Sequence, residues 1–167
     1  MKQLAFFAIG VLLLSSCGNS SEENTKTDET SEEKVETLNE KFDSKLAEEL
    51  GADDYGMHNY VMAFLKAGPN RDQDSLEAAK LQRAHMDNIK RLADEGKLVV
   101  AGPFLDDADI RGIYIFNVET IEEAQALTKT DPAIKAGRLV MELHKWYGSA
   151  ALMQVPKVHK QVAKNEI

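Results

Sequence analysis

The chain has little of what most readily announces a function. One cysteine in 167 residues excludes an internal disulfide and any cysteine cluster for a metal. There is no Gly-rich phosphate loop and no nucleophile elbow, so neither phosphate cradling nor serine acyl transfer has a motif to rest on. Positive charge is also in short supply. The net charge is -8, and its distribution is uneven. Residues 18–57 hold 13 acidic and 4 basic side chains, whereas residues 58–167 hold 15 of each. The second part is therefore neutral and has no basic patch, which argues against nucleic acid as a partner. The longest apolar run, Leu4 to Leu14, is too short to span a bilayer comfortably.

That run has a cationic start at Lys2 and a small-residue end, Ser15-Ser16-Cys17-Gly18, as a signal peptide has. Leu14-Ser15-Ser16-Cys17 resembles the lipobox of bacterial lipoproteins, with the only cysteine of the chain in the required place. The resemblance implies cleavage before Cys17, lipidation of Cys17 and anchoring to a membrane in the cell envelope. Residues 1–16 are then the signal peptide and 17–30 an acidic tether, too polar to fold. Within residues 31–57, Val35, Leu38, Phe42, Leu46 and Leu50 recur at three and four. This spacing predicts an amphipathic helix over Ser31 to Leu50, opened by Thr30 with Glu33 and followed by a linker.

The domain, residues 58–152, is organised around Leu81 to Phe104. Leu81, His85, Ile89 and Leu92 mark one helix face, while Arg83, Asp87, Lys90, Arg91 and Asp94 fall elsewhere. Gly96 can end that helix, and Leu98 to Ala101 reads as a strand buried on both faces and stopped by Gly102-Pro103. Before it lie a strand, His58 to Leu65, and a helix cap at Asp74 or Ser75. After it come a turn at Asp106 to Asp109, a strand over Gly112 to Val118, and a helix capped by Thr120. A short turn follows from Asp131-Pro132 to Gly137, then a strand over Arg138 to Tyr147. The order β-α-β-β-α-β predicts an α+β, ferredoxin-like protomer with an antiparallel four-stranded sheet. In the last strand Leu139, Met141 and Leu143 suit a helix-covered face. Val140, Glu142, His144 and Trp146 form a mixed opposite face, and a second copy of the chain is its simplest cover. In the tail, residues 153–167, Pro156 is expected to open a short basic helix, and Ala150 to Val155 an extra strand.

A histidine on a core-facing stripe can act as acid or base near neutral pH, and a carboxylate beside it fixes its tautomer. His85 and Asp131 are the candidates. Each also has a plain alternative: His85 as a core histidine bonded to a backbone carbonyl, Asp131-Pro132 as an ordinary helix N-cap. Tyr60, Gly102, Pro103, Arg111 and His144 are candidate ligand-binding residues. Arg71, His58 and Tyr114 are weaker ones, more in keeping with solvent, strand-start and core positions. His144 and Glu142 offer two ligands where a zinc site takes three or four, so no metal is expected.

His85, Ala101-Gly102-Pro103, Asp131-Pro132 and Ala136-Gly137, in that order and spacing, resemble the YCII-related family. The match runs over roughly His58 to Leu152, and Glu142-Leu143-His144 with Trp146-Tyr147-Gly148 is similar to one subgroup. The resemblance implies a dimeric α/β-barrel of ferredoxin-like protomers with a paired His and Asp as the active site. It implies chemistry without a cofactor, of the type that eliminates hydrogen chloride from a chlorinated aromatic. The expected function is a His/Asp lyase or isomerase acting on a small organic acid or phenol; the competing hypotheses are a lipid-anchored binding or scaffold dimer and metal binding through His85 or His144.

Overall fold

The computed structural model describes residues 42–165. The signal-peptide, lipidation and tether expectations, Cys17 included, lie outside those residues. So does most of the predicted Ser31 to Leu50 helix. The part that is described, α1 (Ser44–Glu49), begins at its own N-cap. Asp43 is extended, and its carboxylate accepts from the backbone N–H of Lys45 and Leu46 at 3.0 and 3.1 Å. A side chain that takes those donors starts a helix rather than continuing one.

The remaining elements run β1 (Met57–Ala67), α2 (Ser75–Asp94), β2 (Leu98–Pro103), β3 (Ile110–Phe116), α3 (Ile121–Thr128), α4 (Pro132–Lys135), β4 (Leu139–Ser149), a 3-10 helix (Ala150–Gln154) and α5 (Val155–Val162). The strands form one antiparallel sheet in the order β2-β3-β1-β4. The protomer is thus α+β and ferredoxin-like, as its element order predicts.

Local chemistry accounts for the boundaries. Asp74 caps α2 by accepting from Glu77 N–H, and Thr120 caps α3 by accepting from Glu123 N–H. Gly96 and Gly137, both at φ 69°, stop α2 and α4 in the left-handed conformation that glycine adopts without strain. β1 is the spine. Its alternation puts Val61, Ala63 and Leu65 on the helix side, with Leu92 of α2, Leu98 of β2, Tyr114 and Phe116 of β3, and Ala124 of α3. Leu139, Met141 and Leu143 of β4 pack against the same core, as their alternation predicts. Fully burying a side chain such as Leu92 or Phe116 contributes about 1.5–3 kcal/mol.

The opposite face carries Tyr60, Val99 and Ile115, flanked by Met62, Val100 and Trp146. Part of it is covered by the chain itself, because Leu152 and Met153 pack there. This stretch is a 3-10 helix and not the predicted extra strand. Ala150 N–H is taken by Gly56 O, and Ser149 Oγ accepts from Ala151 N–H, so the ladder ends at Ser149. α5 starts with Pro156 in its first turn, as predicted, and returns over β2, with Lys160 Nζ 3.6 Å from Asp94. β2 is an edge strand, so burial on both faces holds only at Leu98 and Val99, and Ala101 is exposed.

Candidate functional site

The helix-side stripe of α2 brings His85 against the turn that precedes α4. His85 Nδ1 lies 2.6 Å from Asp131 Oδ2, and both residues are buried, Asp131 completely. Asp131 also caps α4, because its Oδ1 accepts from Ala133 N–H at 2.8 Å. The two readings of Asp131 are therefore one arrangement. One oxygen holds the helix start and the other holds the histidine.

His85 has a second partner. Tyr114 of β3 points to the helix side, and its hydroxyl is 3.3 Å from His85 Nε2. The two rings lie nearly parallel, with centroids 6.2 Å apart. In the tautomer that donates Nδ1–H to Asp131, Nε2 keeps its lone pair and accepts from the tyrosine hydroxyl. Burial first, and then the charge of Asp131, hold the Tyr114 hydroxyl far above the usual phenol range. It is a neutral donor at any physiological pH.

This shift has a consequence for stability. Folded Tyr114 keeps its proton where an unfolded chain, titrating near 10.0, releases it. The stability tied to that proton is complete below pH 10 and is lost as the pH rises beyond it. Melting temperature followed from pH 8 to 11 is expected to fall less steeply for Tyr114→Phe than for the wild type. Equal slopes would contradict this burial-driven shift.

Around this trio runs a second polar layer. Asn88, three residues after His85 on α2, is buried, and its Oδ1 accepts from Arg91 Nη2 and lies beside the Thr130 hydroxyl, each at 2.9 Å. Arg91 also donates to Glu95 at 2.7 and 2.9 Å and to Thr130 Oγ1 at 2.9 Å. Thr130 precedes Asp131, so this layer pins the turn that carries the carboxylate.

The other sequence candidates lie elsewhere. Tyr60 is buried on the opposite sheet face, donating to Ser149 O at 3.1 Å and packing on Trp146. His144 is on that opposite face too, exposed, with Nε2 3.0 Å from Glu142 Oε1, and Glu142 is also paired with Lys66. Lys66 and His144 together hold the Glu142 carboxyl below its usual range. Gly102 and Pro103 pair with Ile113 and Gly112 in the β2–β3 ladder. A Cβ on Gly112 would come within 2.5 Å of Gly102 O, so the two strands approach closely there. Arg111 is exposed beside that pair. An open cavity of about 480 Å³ lies at this end, lined by Lys66, Phe104, Asp106, Ala108, Asp109 and Ile110, and does not reach His85 or Asp131. His58 is not exposed as a strand start would be. Its ring nitrogens lie 2.9 Å from Gly51 O and 3.0 Å from Asn117 Oδ1, tying the end of α1 to the residue after β3. Among the described residues no three His, Cys, Asp or Glu side chains gather where they could hold a metal.

Sequence reasoning therefore paired His85 with Asp131 and overlooked Tyr114 and Asn88 as their neighbours. The signal for Tyr114 was a polar tip on a strand position that alternates into the helix side. Asn88 offered only its place one turn from His85.

Comparison with known proteins identifies the family. No curated protein matches the chain. Among solved structures, 5-chloro-2-hydroxyhydroquinone dehydrochlorinase (TftG) from Burkholderia phenoliruptrix AC1100, in complex with 2,5-dihydroxybenzoquinone, matches with a TM-score of 0.40 and 23% identity, over 53% of this chain and 93% of that one. The family model of the YCII-related domain matches residues 61–146, just over half of the chain, from the middle of β1 to the aromatic end of β4. The matched segment contains His85, Tyr114 and Asp131 with all of β2 and β3 and most of β1 and β4, and the chain belongs to the YCII-related domain family.

Proposed function

We propose that the chain is a cofactor-free lyase or isomerase that moves a proton on a small organic acid or phenol, with His85 as the acid–base group and Asp131 as its partner. The observation that carries this reading is the 2.6 Å contact between His85 Nδ1 and Asp131 Oδ2 in a buried setting. Asp131 holds the proton on Nδ1, which leaves the Nε2 lone pair to take a proton from a substrate carbon or hydroxyl. The imidazolium so formed is stabilised by the carboxylate. It gives the proton back at a different atom in an isomerisation, or to the departing group in an elimination. Tyr114, neutral and next to Nε2, is placed to donate to a substrate oxygen in exchange for its contact with His85.

The test is hydrogen exchange. The full chain is incubated in D2O with enolisable carboxylic acids and with phenols, and C–H to C–D replacement is followed by proton NMR. Deuterium uptake that depends on His85 is the expected result. Uptake by no compound, or equal uptake by His85→Gln, would contradict the reading. One observation favours a second reading, a non-catalytic scaffold: His85 is only 7% exposed and Asp131 0%. In that case His85→Gln would alter stability alone.

The lipid anchor at Cys17 and the homodimer are part of the same proposal. Support for the anchor is the Leu14-Ser15-Ser16-Cys17 sequence. Support for the dimer is the open sheet face, where Met62 and Phe64 are half-buried and Val140 is exposed. The wild-type protein is expected to sediment with membranes and, once detergent-extracted, to have the mass of a dimer. Cys17→Ser is expected to release that dimer into the soluble fraction. A soluble wild type would overturn the anchor, and a monomer would overturn the dimer.

A further inference from the structure

The amide of Asn88 is only half used. Its oxygen accepts from Arg91 Nη2 and lies 2.9 Å from the Thr130 hydroxyl, whose one proton also has Leu127 O within 2.7 Å. Arg91 is a donor only, so it fixes which way round the amide sits, because the reversed amide would set donor against donor. Arg91 is itself anchored by Glu95. The amino end, Nδ2, is thereby turned away from Arg91 and Thr130. It is buried, and it has no hydrogen-bond partner among the described residues. A buried donor without a partner is unfavourable and uncommon in folded proteins. A leucine at this stripe position would bury without that penalty.

The position of the unused donor suggests its purpose. Asn88 follows His85 by three residues on α2, which puts their Cβ atoms about 5–6 Å apart on one helix face. Both are held by the same turn, His85 through Asp131 and Asn88 through Thr130. We propose that Asn88 Nδ2 is the oxygen-binding donor of the His85 site. It would hydrogen-bond to a carboxylate, carbonyl or phenol oxygen of the substrate while His85 exchanges the proton on a neighbouring atom. This inference rests on the acid–base reading of His85 and narrows its substrate class to molecules with such an oxygen. Proton removal next to a carbonyl, or from a phenol, builds negative charge on oxygen, and a neutral donor fixed in advance stabilises that charge.

Benzoate and 4-nitrophenol serve as probes, one for acids and one for phenols, each titrated into the 15N-labelled full chain. The Asn88 side-chain amide signal is expected to move saturably with at least one of them, and which one moves it separates acids from phenols. Asn88→Asp keeps oxygen acceptors for Arg91 and Thr130 and removes the donor, so its melting temperature should hold while the affinity for the responding probe drops at least tenfold. Because the aspartate adds charge, Asn88→Ala is measured beside it, and the same tenfold loss is expected there. An amide signal unmoved by both probes, or wild-type affinity in either variant, would overturn the proposal. The acid–base reading fails on a separate result, deuterium exchange that is indifferent to His85→Gln.

Discussion

Asp131→Ala is expected to destabilise the domain by about 2.5–4 kcal/mol, a buried hydrogen bond to a charged group at about 1.5–3 together with a helix cap at about 1. The carboxylate is fully buried, and both of its oxygens are engaged. Its loss leaves the Nδ1–H of His85 facing a void and leaves Ala133 N–H without an acceptor. The cap alone is worth about 1 kcal/mol. Asp131→Asn should lose less, because its side-chain oxygen can still cap α4. The asparagine NH2 would face Nδ1, and the histidine ring accommodates it by moving its proton to Nε2. Urea denaturation of the three proteins should therefore rank them Asp above Asn above Ala. An alanine variant within about 1 kcal/mol of the wild type, well short of that range, would show that the pair contributes little to the fold.

His85→Gln is expected to slow substrate deuterium exchange by about 10²–10⁴-fold, the usual contribution of a positioned acid or base. Glutamine can still hydrogen-bond to Asp131, so the turn before α4 is kept. It has no group that takes and returns a proton near neutral pH. The variant therefore separates chemistry from packing: exchange is lost while the fold is retained. The opposite outcome, a destabilised protein with unchanged exchange, is what the scaffold reading requires.

How legible these features were depended on how local their causes are. The α2 stripe, the β4 alternation and the stops at Gly96 and Gly137 follow from spacing and from backbone preference, and each was readable from neighbouring residues. Asp131 was readable as a cap because Pro132 follows it. Its second role needed α2 to pass above it, 46 residues away in sequence. Tyr114 reads from the sequence as a core residue, and by burial it is one. Only the position of its hydroxyl at His85 Nε2 gives it a place in the site. The network of Asn88 is closed by Thr130, 42 residues on, which no periodicity discloses. The tail departs from the expected strand because an apolar run cannot distinguish a strand from a 3-10 turn. Competition for two N–H groups, by Gly56 O and Ser149 Oγ, decided it. At the start of the described residues, the Asp43 carboxylate sets where α1 begins, a local choice that the apolar spacing across it does not disclose.

The most direct test of the account is the position of the proton on the His85 ring. Long-range 1H–15N correlation in the full chain, recorded above the ordinary histidine range, reports which ring nitrogen carries it. The predicted result is a proton on Nδ1 in the wild type and on Nε2 in Asp131→Asn, because the carboxylate is what holds it at Nδ1. A proton on the same nitrogen in both proteins would mean that Asp131 does not set the state of His85, and the acid–base site would lose its foundation.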